Sequence, residues 1–378
     1  MKRTIIIITC LLMLVFASAL TTGSSHVQQE ADSLRALYAR PVAMWPMPVI
    51  DSGVQWKELE AILPDTNLPR LLEQPDVNLG KMLFFDPRLS GSNQISCSSC
   101  HDPDLAWADG RRVSLGNDHL QGSRNTPSLL NIGEAHRTFF WDGRSESLED
   151  QAINPIATHH EMNMEPPLLA EKLGKIAGYK NLFQLAYGAD NITIDRIVQA
   201  LAAFEATIKS RTSRFDLFVM GNYKRLSDQE IQGLHLFRTK ARCMNCHNGK
   251  YFTDDAFHNI GLTYYQRKYE DLGRYTITGD PADVGRFRTP SLRDVMLTRP
   301  WMHNGLFDNI EGVINIYNSG MQMMKPKPGQ EQDTLFPHTD KLMQPLHLST
   351  DEKQALIAFL QSITGAPYKM RRPEHLPQ

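Results

Sequence analysis

The sequence predicts an all-α protein with long loops, made of two related domains. A five-residue pattern, Cys-x-x-Cys-His, occurs at 97–101 and again at 243–247. A second shared pattern, Thr-Pro-Ser-Leu, follows each of them, at 126–129 and at 289–292. Apolar residues recur at helical spacing in several segments, whereas the alternation of apolar and polar residues that predicts strands is scarce.

Composition indicates a folded protein and gives no sign of a nucleic-acid partner. Hydrophobic residues make up 41% and charged residues 22% of the 378 residues, which is enough apolar material to bury a core. The 40 Lys and Arg residues nearly balance the 42 Asp and Glu residues, for a formal net charge of −2. Nucleic-acid-binding proteins normally carry a basic surplus, so we expect no nucleic acid here.

The N-terminus predicts export. Residues 1–19 have the features of a secretory signal peptide: Lys2 and Arg3 precede an apolar run that ends at Phe16, and Ala17-Ser18-Ala19 supplies small residues for cleavage. A transmembrane anchor is the alternative, but the run is shorter than the roughly 20 apolar residues that a span needs. We therefore expect a periplasmic protein without stable membrane insertion.

After the signal peptide, residues 20–60 predict an extended arm, because Trp45-Pro46-Met47-Pro48 does not suit a regular helix. A polar stretch near 211–225 marks the boundary between the domains. The predicted ranges are 61–215 for the first domain, 216–370 for the second and 371–378 for a C-terminal tail.

Helices can be placed from their own signals. Helical spacing of apolar residues covers 195–209. Ser227 and Glu230 form a capping-box pattern that begins a helix through Phe237, just before the second cysteine motif. Another capping box at Ser349 begins a helix that Gly365 and Pro367 end.

The cysteines indicate the chemistry. Every cysteine outside the predicted signal peptide falls in one of the two motifs: Cys97, Cys100, Cys243 and Cys246. The pattern is typical of c-type haem attachment, in which two thiols bond the porphyrin and the adjacent histidine binds the iron. A zinc site and a redox dithiol are alternatives. Because each motif carries its own histidine, the sequence favours one haem in each domain.

The group opposite each histidine decides between electron transport and catalysis, since only an open iron can bind peroxide. Glu161 is a candidate near the first haem, where a carboxylate could move a proton between the peroxide oxygens. Histidines are rival candidates there: His119, His136, His159 and His160.

Tyr317 lies on the apolar face of a helix predicted from Ile310. It is either a core residue or a ligand of the second iron. Trp141 is likewise either a core residue or an electron relay between the two irons. Methionines are rival ligands near the second haem: Met302, Met321, Met323 and Met324.

Residues 75–365 resemble the bacterial di-haem cytochrome c peroxidase family, which includes a MauG-like subgroup. The resemblance implies two cytochrome-c-like domains, with the peroxidatic haem in the first and the electron-transfer haem in the second. Its segments are Cys97–His101, Arg124–Asn131, Phe140–Arg144, Asn154–Met162, Cys243–His247, Thr289–Asp294 and Thr298–Gly305.

The resemblance also implies roles for single residues. His101 and His247 would be the proximal ligands of the two irons. Glu161 would be the distal acid–base group, Pro155 would line its pocket, and Trp141 would lie between the haems.

A calcium ion between the domains is implied as well. Its ligands would be Asn125, Thr298 and Pro300, whose amide and backbone carbonyl oxygens are suitable for this hard cation. Two departures point toward the MauG-like subgroup. Tyr317 stands where many of these peroxidases have a methionine, and Asn117 stands where they have a removable histidine.

The resemblance implies a peroxidase that reduces hydrogen peroxide to water, with electrons from a small cytochrome c or a cupredoxin. The alternatives are a MauG-like oxidase that modifies a residue of a partner protein, and a non-enzymatic di-haem cytochrome for electron transfer or redox sensing. A homodimer is implied by the family alone.

Overall fold

The computed structural model describes residue 29 and residues 31–321, 325–366 and 370–378. The predicted signal peptide, together with Met323, Met324 and Pro367, lies outside these residues. The regular secondary structure of the described chain is almost entirely helical, as predicted, with long loops between the helices. Its α-helices include Leu68–Leu72, Pro75–Phe85, Ile132–Ala135, Leu148–Ala157, Pro166–Gly174, Ala177–Tyr187, Ile194–Glu205, Arg214–Val219, Asp228–Arg238, Tyr275–Thr278, Ile310–Ser319 and Thr350–Ser362.

Strand structure in the described ranges is one short antiparallel pair, Phe257–His258 with Phe287–Arg288. The pairing sets Phe257 opposite Arg288 and His258 opposite Phe287. In the part of the chain that the structure covers, no helix is both long and apolar enough to cross a membrane.

The predicted helices are confirmed where local signals defined them. Both capping boxes form, with Ser227 and Glu230 at one helix start and Ser349 and Glu352 at another. The helix expected over 195–209 begins at Ile194, capped by Thr193, and ends earlier, at Glu205.

The stretch at 211–225, which was predicted to be polar and to mark the domain boundary, is not polar throughout. It contains the helix Arg214–Val219, and Phe215 and Phe218 on this helix are fully buried. Their i, i+3 spacing places both rings on one face, which packs into the core of the second domain.

The buried apolar side chains form two separate cores, one in each predicted domain. In each core, the backbones of one pair of helices approach each other very closely where they cross. A Cβ atom on Gly80 would lie 1.8 Å from the carbonyl oxygen of Ala200. A Cβ atom on Gly233 would lie 2.0 Å from the carbonyl oxygen of Ala355. Only glycine allows these helix backbones to approach so closely, and the same solution occurs in both domains.

Three aromatic rings fill each core beside this crossing. They are Phe84, Trp107 and Phe204 in the first domain, and Phe237, Phe252 and Phe359 in the second. Their centroids are 5.3–6.0 Å apart in the first domain. In the second domain they are 5.1–6.1 Å apart. The internal repeat of the sequence is therefore a repeat of core packing.

The N-terminal segment lies along the second domain. Residues 31–38 are helical, and the chain after Val42–Met44 has no regular helix or strand up to residue 60. The Val49 amide donates to the Arg238 carbonyl at 2.8 Å, and the Asp51 amide donates to Oδ1 of Asn245 at 2.8 Å. The segment thus contacts the second cysteine motif directly.

Candidate functional site

Each Cys-x-x-Cys-His motif forms one 3-10 turn, at Cys97–Ser99 and at Cys243–Asn245. The following histidine is fixed through its ring. His101 donates from Nδ1 to the Trp107 carbonyl at 3.1 Å, and His247 donates in the same way to the Phe252 carbonyl at 3.0 Å. Because a carbonyl only accepts, Nδ1 carries the proton and Nε2 is the nitrogen left to bind a metal.

The Thr-Pro-Ser-Leu motifs hold these histidine partners in place. Ser128 donates from Oγ to the Ala106 carbonyl at 2.6 Å, and Ser291 donates to the Tyr251 carbonyl at 2.7 Å. Each acceptor is the residue just before the carbonyl that binds a histidine. The shared motif therefore fixes the direction of the histidine ring in both domains.

The two cysteine pairs belong to separate cores, so they do not form one four-cysteine zinc site. Cys97 packs against the first core and Cys243 against the second. Burial raises the pKa of the Cys100 thiol to about 11 and that of Cys243 to about 12. Thiols of this kind are poor nucleophiles, which argues against a redox dithiol.

One cluster of metal-binding side chains occurs among the described residues, formed by Cys246, Asp254 and His258. Both ring nitrogens of His258 are already engaged, Nε2 with Asp254 at 2.9 Å and Nδ1 with Asp340 at 2.6 Å. Burial lowers the pKa of His258, but the two carboxylates outweigh it and raise this pKa to about 12. A protonated imidazole cannot bind a metal, so the cluster is an ion-pair network.

The second motif opens into a mainly apolar cavity of about 270 Å³. Cys243, Cys246 and His247 line it, and so does Tyr317 from the helix Ile310–Ser319. Burial raises the pKa of the Tyr317 phenol well above its usual value. Two thiols, a histidine with Nε2 available and apolar walls fit a covalently bound haem. Of the rival methionines, Met302 also lines the cavity, whereas Met321 packs against Gly261.

Glu161 lies in a tight turn after the helix Leu148–Ala157. The Met162 amide donates to the Pro155 carbonyl at 3.1 Å, which brings Pro155 beside this turn. The Asn117 amide donates to the Glu161 carbonyl at 2.8 Å, which ties the 116–120 loop to it. Burial raises the pKa of the Glu161 carboxyl, so the group holds a proton more readily than a glutamate in water.

The rival histidines near the first motif have other surroundings. His119 and His159 are exposed. His136 is bound from Nδ1 to Asp255 at 2.9 Å. His160 lies 3.9 Å from the Glu161 carboxylate. Asn117, by contrast, is only 4% exposed and is held next to Glu161.

The domain interface is formed by matching parts of the two repeats. Isolated antiparallel bridges pair Phe139 with Ser145 and Trp301 with Phe307, which places Trp141 and His303 at equivalent positions. The two rings meet edge to face, with centroids 6.5 Å apart. Trp141 therefore lies at the contact between the domains.

The backbones at this interface exchange hydrogen bonds reciprocally. The Asn125 amide donates to the His303 carbonyl at 2.7 Å, and the Arg288 amide donates to the Trp141 carbonyl at 2.8 Å. Asn125 and Arg288 occupy the same place in the two repeats, directly before Thr-Pro-Ser-Leu. The segment before Thr-Pro-Ser-Leu in each domain is thus hydrogen-bonded to the bridged turn of the other domain, at 139–145 or at 301–307.

Comparisons with known proteins agree with this arrangement. A family model described as di-haem cytochrome c peroxidase matches residues 74–224. The chain is 38% identical over 323 residues to the methylamine utilization protein MauG of Methylophilus methylotrophus, covering 84% of this chain and 90% of that protein. It is 35% identical over 324 residues to the cytochrome-c peroxidase IdrP2 of a Pseudomonas species, covering 79% and 83% of the two chains.

The chain belongs to the di-haem cytochrome c peroxidase family. A crystal structure of a MauG-like protein associated with microbial copper homeostasis has a similar fold, with a TM-score of 0.69 and 30% identity. The match covers 84% of this chain and 96% of that one. The relatives include proteins named as peroxidases and proteins named MauG, so membership alone does not choose between these activities.

Three residues are expected from the family resemblance to bind calcium. Asn125, Thr298 and Pro300 all line the cavity that Trp141 also lines. The Asn125 side chain donates from Nδ2 to the Arg111 carbonyl at 2.9 Å, which leaves its amide oxygen as the acceptor. Trp141 donates from Nε1 to the backbone carbonyl of Asn125 at 2.9 Å. An oxygen donor set of this kind is compatible with a hard cation.

A charged network that joins the domains was not predicted. Arg124 binds Asp142 of the first domain at 2.5 Å and Asp271 of the second at 2.6 Å. Asp271 belongs to the loop between the strand Phe257–His258 and the helix Tyr275–Thr278. Two other interface residues, Arg288 and His303, were also missed, although His303 could have been found by aligning it with Trp141.

Proposed function

We propose that this chain is a periplasmic di-haem peroxidase that reduces hydrogen peroxide to water. One haem would be attached at Cys97 and Cys100, and the other at Cys243 and Cys246. The observation that carries the proposal is the contrast between two identically held histidines and two different groups nearby. The first domain has Glu161, a carboxyl group whose pKa is raised by burial, and the second has Tyr317, a buried phenol.

In the first domain, a bound haem supplies the iron at which peroxide is reduced. His101 would hold it from one side, with its ring direction fixed by the Trp107 carbonyl. Glu161 would accept a proton from one peroxide oxygen and return it to the other. Burial raises the pKa of this carboxyl, which makes it a better proton acceptor than an ordinary glutamate. Pro155 would line the same pocket.

In the second domain, His247 and Tyr317 would be the two ligands of the electron-transfer haem. Trp141 would carry electrons between the two haems from its place at the domain contact. A small cytochrome c or a cupredoxin would supply these electrons. A calcium ion held by Asn125, Thr298 and Pro300 would fix the domains against each other beside Trp141.

Replacing Glu161 tests the proposal. In Glu161→Gln, steady-state peroxide reduction with a reduced donor should fall by about 10²- to 10⁴-fold, the usual contribution of a general acid–base group. Both haems should remain bound. The exposed Glu171→Gln, which only loses a surface pair with Lys175, is the matched control. A near-normal rate in Glu161→Gln would refute the assignment.

A MauG-like oxidase is the second candidate, and Tyr317 is the observation that favours it. The phenol lines the second cavity where many peroxidases of this family have a methionine. In this case the oxidising equivalents would act on a residue of a partner protein. A cross-linked or hydroxylated partner, found by mass spectrometry after peroxide treatment of the mixture, would support this candidate over donor-dependent peroxide reduction.

A further inference from the structure

Two buried side-chain nitrogens at the domain interface have no hydrogen-bond partner in the structure. They are Nη1 of Arg288, which is a donor, and Nε2 of His303, which is a donor when it carries the ring proton. The two residues are only 5% and 3% exposed, and both line the cavity that Cys243 and Cys246 also line. Leaving a buried donor unsatisfied is destabilising, and more so for a charged group. Two such nitrogens in one cavity wall point to an acceptor inside that cavity.

Hydrogen bonds from the backbone and the side chain of Arg288 fix the position of its guanidinium. Its Nε donates to the Phe140 carbonyl at 3.2 Å, while its backbone amide is bound to Trp141. Nη1 lies 3.6 Å from Asp255, which is too long for a hydrogen bond.

Asp255 does not fully neutralise this arginine. It already accepts from Nδ1 of His136 at 2.9 Å and from the Arg137 amide at 2.8 Å. Burial lowers the pKa of Arg288 to about 10, which agrees with a cation that lacks full compensation. A further negative charge at this point would complete its surroundings.

His303 is aimed by stacking. Its ring lies flat on Phe287, with centroids 3.6 Å apart and an angle of 10° between the planes. Trp141 closes its other side at 6.5 Å. Tilting the ring out of this plane would lose both contacts, so the plane of the imidazole is fixed. The guanidinium of Arg124 lies 5.5 Å from the Phe287 ring, where Asp142 and Asp271 already pair with it.

We propose that Arg288 and His303 bind a propionate carboxylate of the haem attached at Cys243 and Cys246. This inference rests on the proposed haem attachment and goes beyond it. A carboxylate is the acceptor that suits a buried cation and a neighbouring N–H donor, because its two oxygens accept from both at once. The porphyrin that the two cysteines would hold carries such groups.

Arg288 and His303 would position the second haem relative to Trp141. The Arg288 backbone is bound to the Trp141 carbonyl, so the same residue would hold the second haem and the tryptophan between the domains. His303 touches that tryptophan directly. The distance and angle between haem and indole would therefore be set by this pair.

The test uses the intact holoprotein and three variants. Arg288→Gln removes the charge, and His303→Phe keeps the stacking but removes the N–H. Arg286→Gln is the control, because Arg286 lies two residues away with 42% of its side chain exposed. Haem content is measured first, then the propionate-bending bands in resonance Raman spectra, and then the reduction potential of each haem.

All three variants should keep two haems. Arg288→Gln and His303→Phe should shift a propionate band of the second haem, and Arg286→Gln should leave the bands unchanged. Arg288→Gln should also lower the reduction potential of that haem, because a nearby cation favours the reduced state. His303→Phe should change the potential less, since no charge is lost.

Unchanged Raman bands and potentials in both variants would overturn the inference and leave the proposed function standing. Such a result would mean that water satisfies the two donors. If Arg288→Gln does not fold, the Raman spectrum of His303→Phe decides alone. A wild-type protein without two haems would instead overturn the proposed function itself.

Discussion

The two domains hold their histidines in the same way and differ in almost everything that would face the other side of the iron. In both, a 3-10 turn presents the histidine, a backbone carbonyl orients its ring, and a serine fixes the segment that carries this carbonyl. Beyond this shared half, the first domain has Glu161 and the second has Tyr317. The arrangement that would hold each haem iron is the same in both domains, while the group proposed to lie on the other side of the iron differs.

The same contrast occurs in the cores. Ala200 and Phe204 of the first domain match Ala355 and Phe359 of the second, as their contacts with Gly80 and Gly233 show. The next residue is Glu205 in one domain and Leu360 in the other. Glu205 is 4% exposed, and its Oε2 is buried without a partner. The first domain thus carries a buried acid where the second has a hydrocarbon side chain.

Replacing Tyr317 by methionine should produce the largest change, because it alters a proposed iron ligand. Methionine raises the potential of a haem and tyrosine does not, so the second haem should become easier to reduce while the first stays unchanged. Spectroelectrochemistry on the purified protein measures both potentials. An unchanged second potential would make Tyr317 an ordinary core residue and remove one of the two differences between the sites.

Adding a methyl group at either helix crossing tests whether the two cores are equivalent. Gly80→Ala and Gly233→Ala should each lower the free energy of unfolding by roughly 1–3 kcal/mol or more, because the new Cβ overlaps a backbone oxygen. Gly312→Ala is the control, since that glycine lies within a helix with no atom within 4 Å of an added Cβ. Denaturant unfolding measures the free energy of unfolding of all three variants. A decrease in only one of Gly80→Ala and Gly233→Ala would show that the two helix crossings are not equivalent.

The buried acid predicts a pH dependence that belongs to the first domain. Burial, with Glu149 as a smaller cause, raises the pKa of Glu205 to about 8. Between its unfolded value and pH 8 the folded state keeps a proton that the unfolded chain has lost. The free energy of unfolding therefore falls as the pH rises, by at most about 1.4 kcal/mol per pH unit.

Glu205→Gln removes this proton and its dependence. The variant should gain stability over the wild type between pH 5 and pH 8, with the gain largest at the upper end. Thermal unfolding at a series of pH values measures the difference. Parallel stability curves for the two proteins would show that Glu205 is ionised in the folded state.

The smallest effects concern the serines behind the histidines. Ser128→Ala and Ser291→Ala each remove one hydrogen bond to a backbone carbonyl, so each should cost about 1 kcal/mol. Ser319→Ala is an exposed control that loses a local bond to Ile316. If denaturant unfolding shows that both variants lose the same free energy of unfolding, the two serines support their histidines equally. A loss confined to one domain would contradict it.

Local signals in the sequence predicted the parts of the fold that local interactions decide. The capping boxes at Ser227 and Ser349 and the helical spacing up to Tyr317 each depend on residues a few positions apart. The helix Arg214–Val219 was missed because it is only six residues long and lies in a stretch that is otherwise rich in charged and polar residues. Its burial depends on a core assembled from distant segments, which spacing alone does not reveal.

The candidate site was predictable to the same extent. Cys-x-x-Cys-His occupies five residues, so the sequence alone predicts where each haem would be attached, and the structure gives both motifs the same 3-10 turn. The unpartnered donors of Arg288 and His303 could not be found in this way. Their surroundings come from Phe140, Trp141 and Asp255, and the lack of a partner is visible only once all of these are placed.

The reciprocal backbone exchange between the domains bears on the origin of the molecule. Each repeat completes its neighbour at the same two positions, as two copies of one shorter polypeptide would across a rotation axis. A single-repeat ancestor could have met its twin through this contact before the genes fused. Fusion then allowed each half to mutate separately, so one could acquire an acid and the other a phenol.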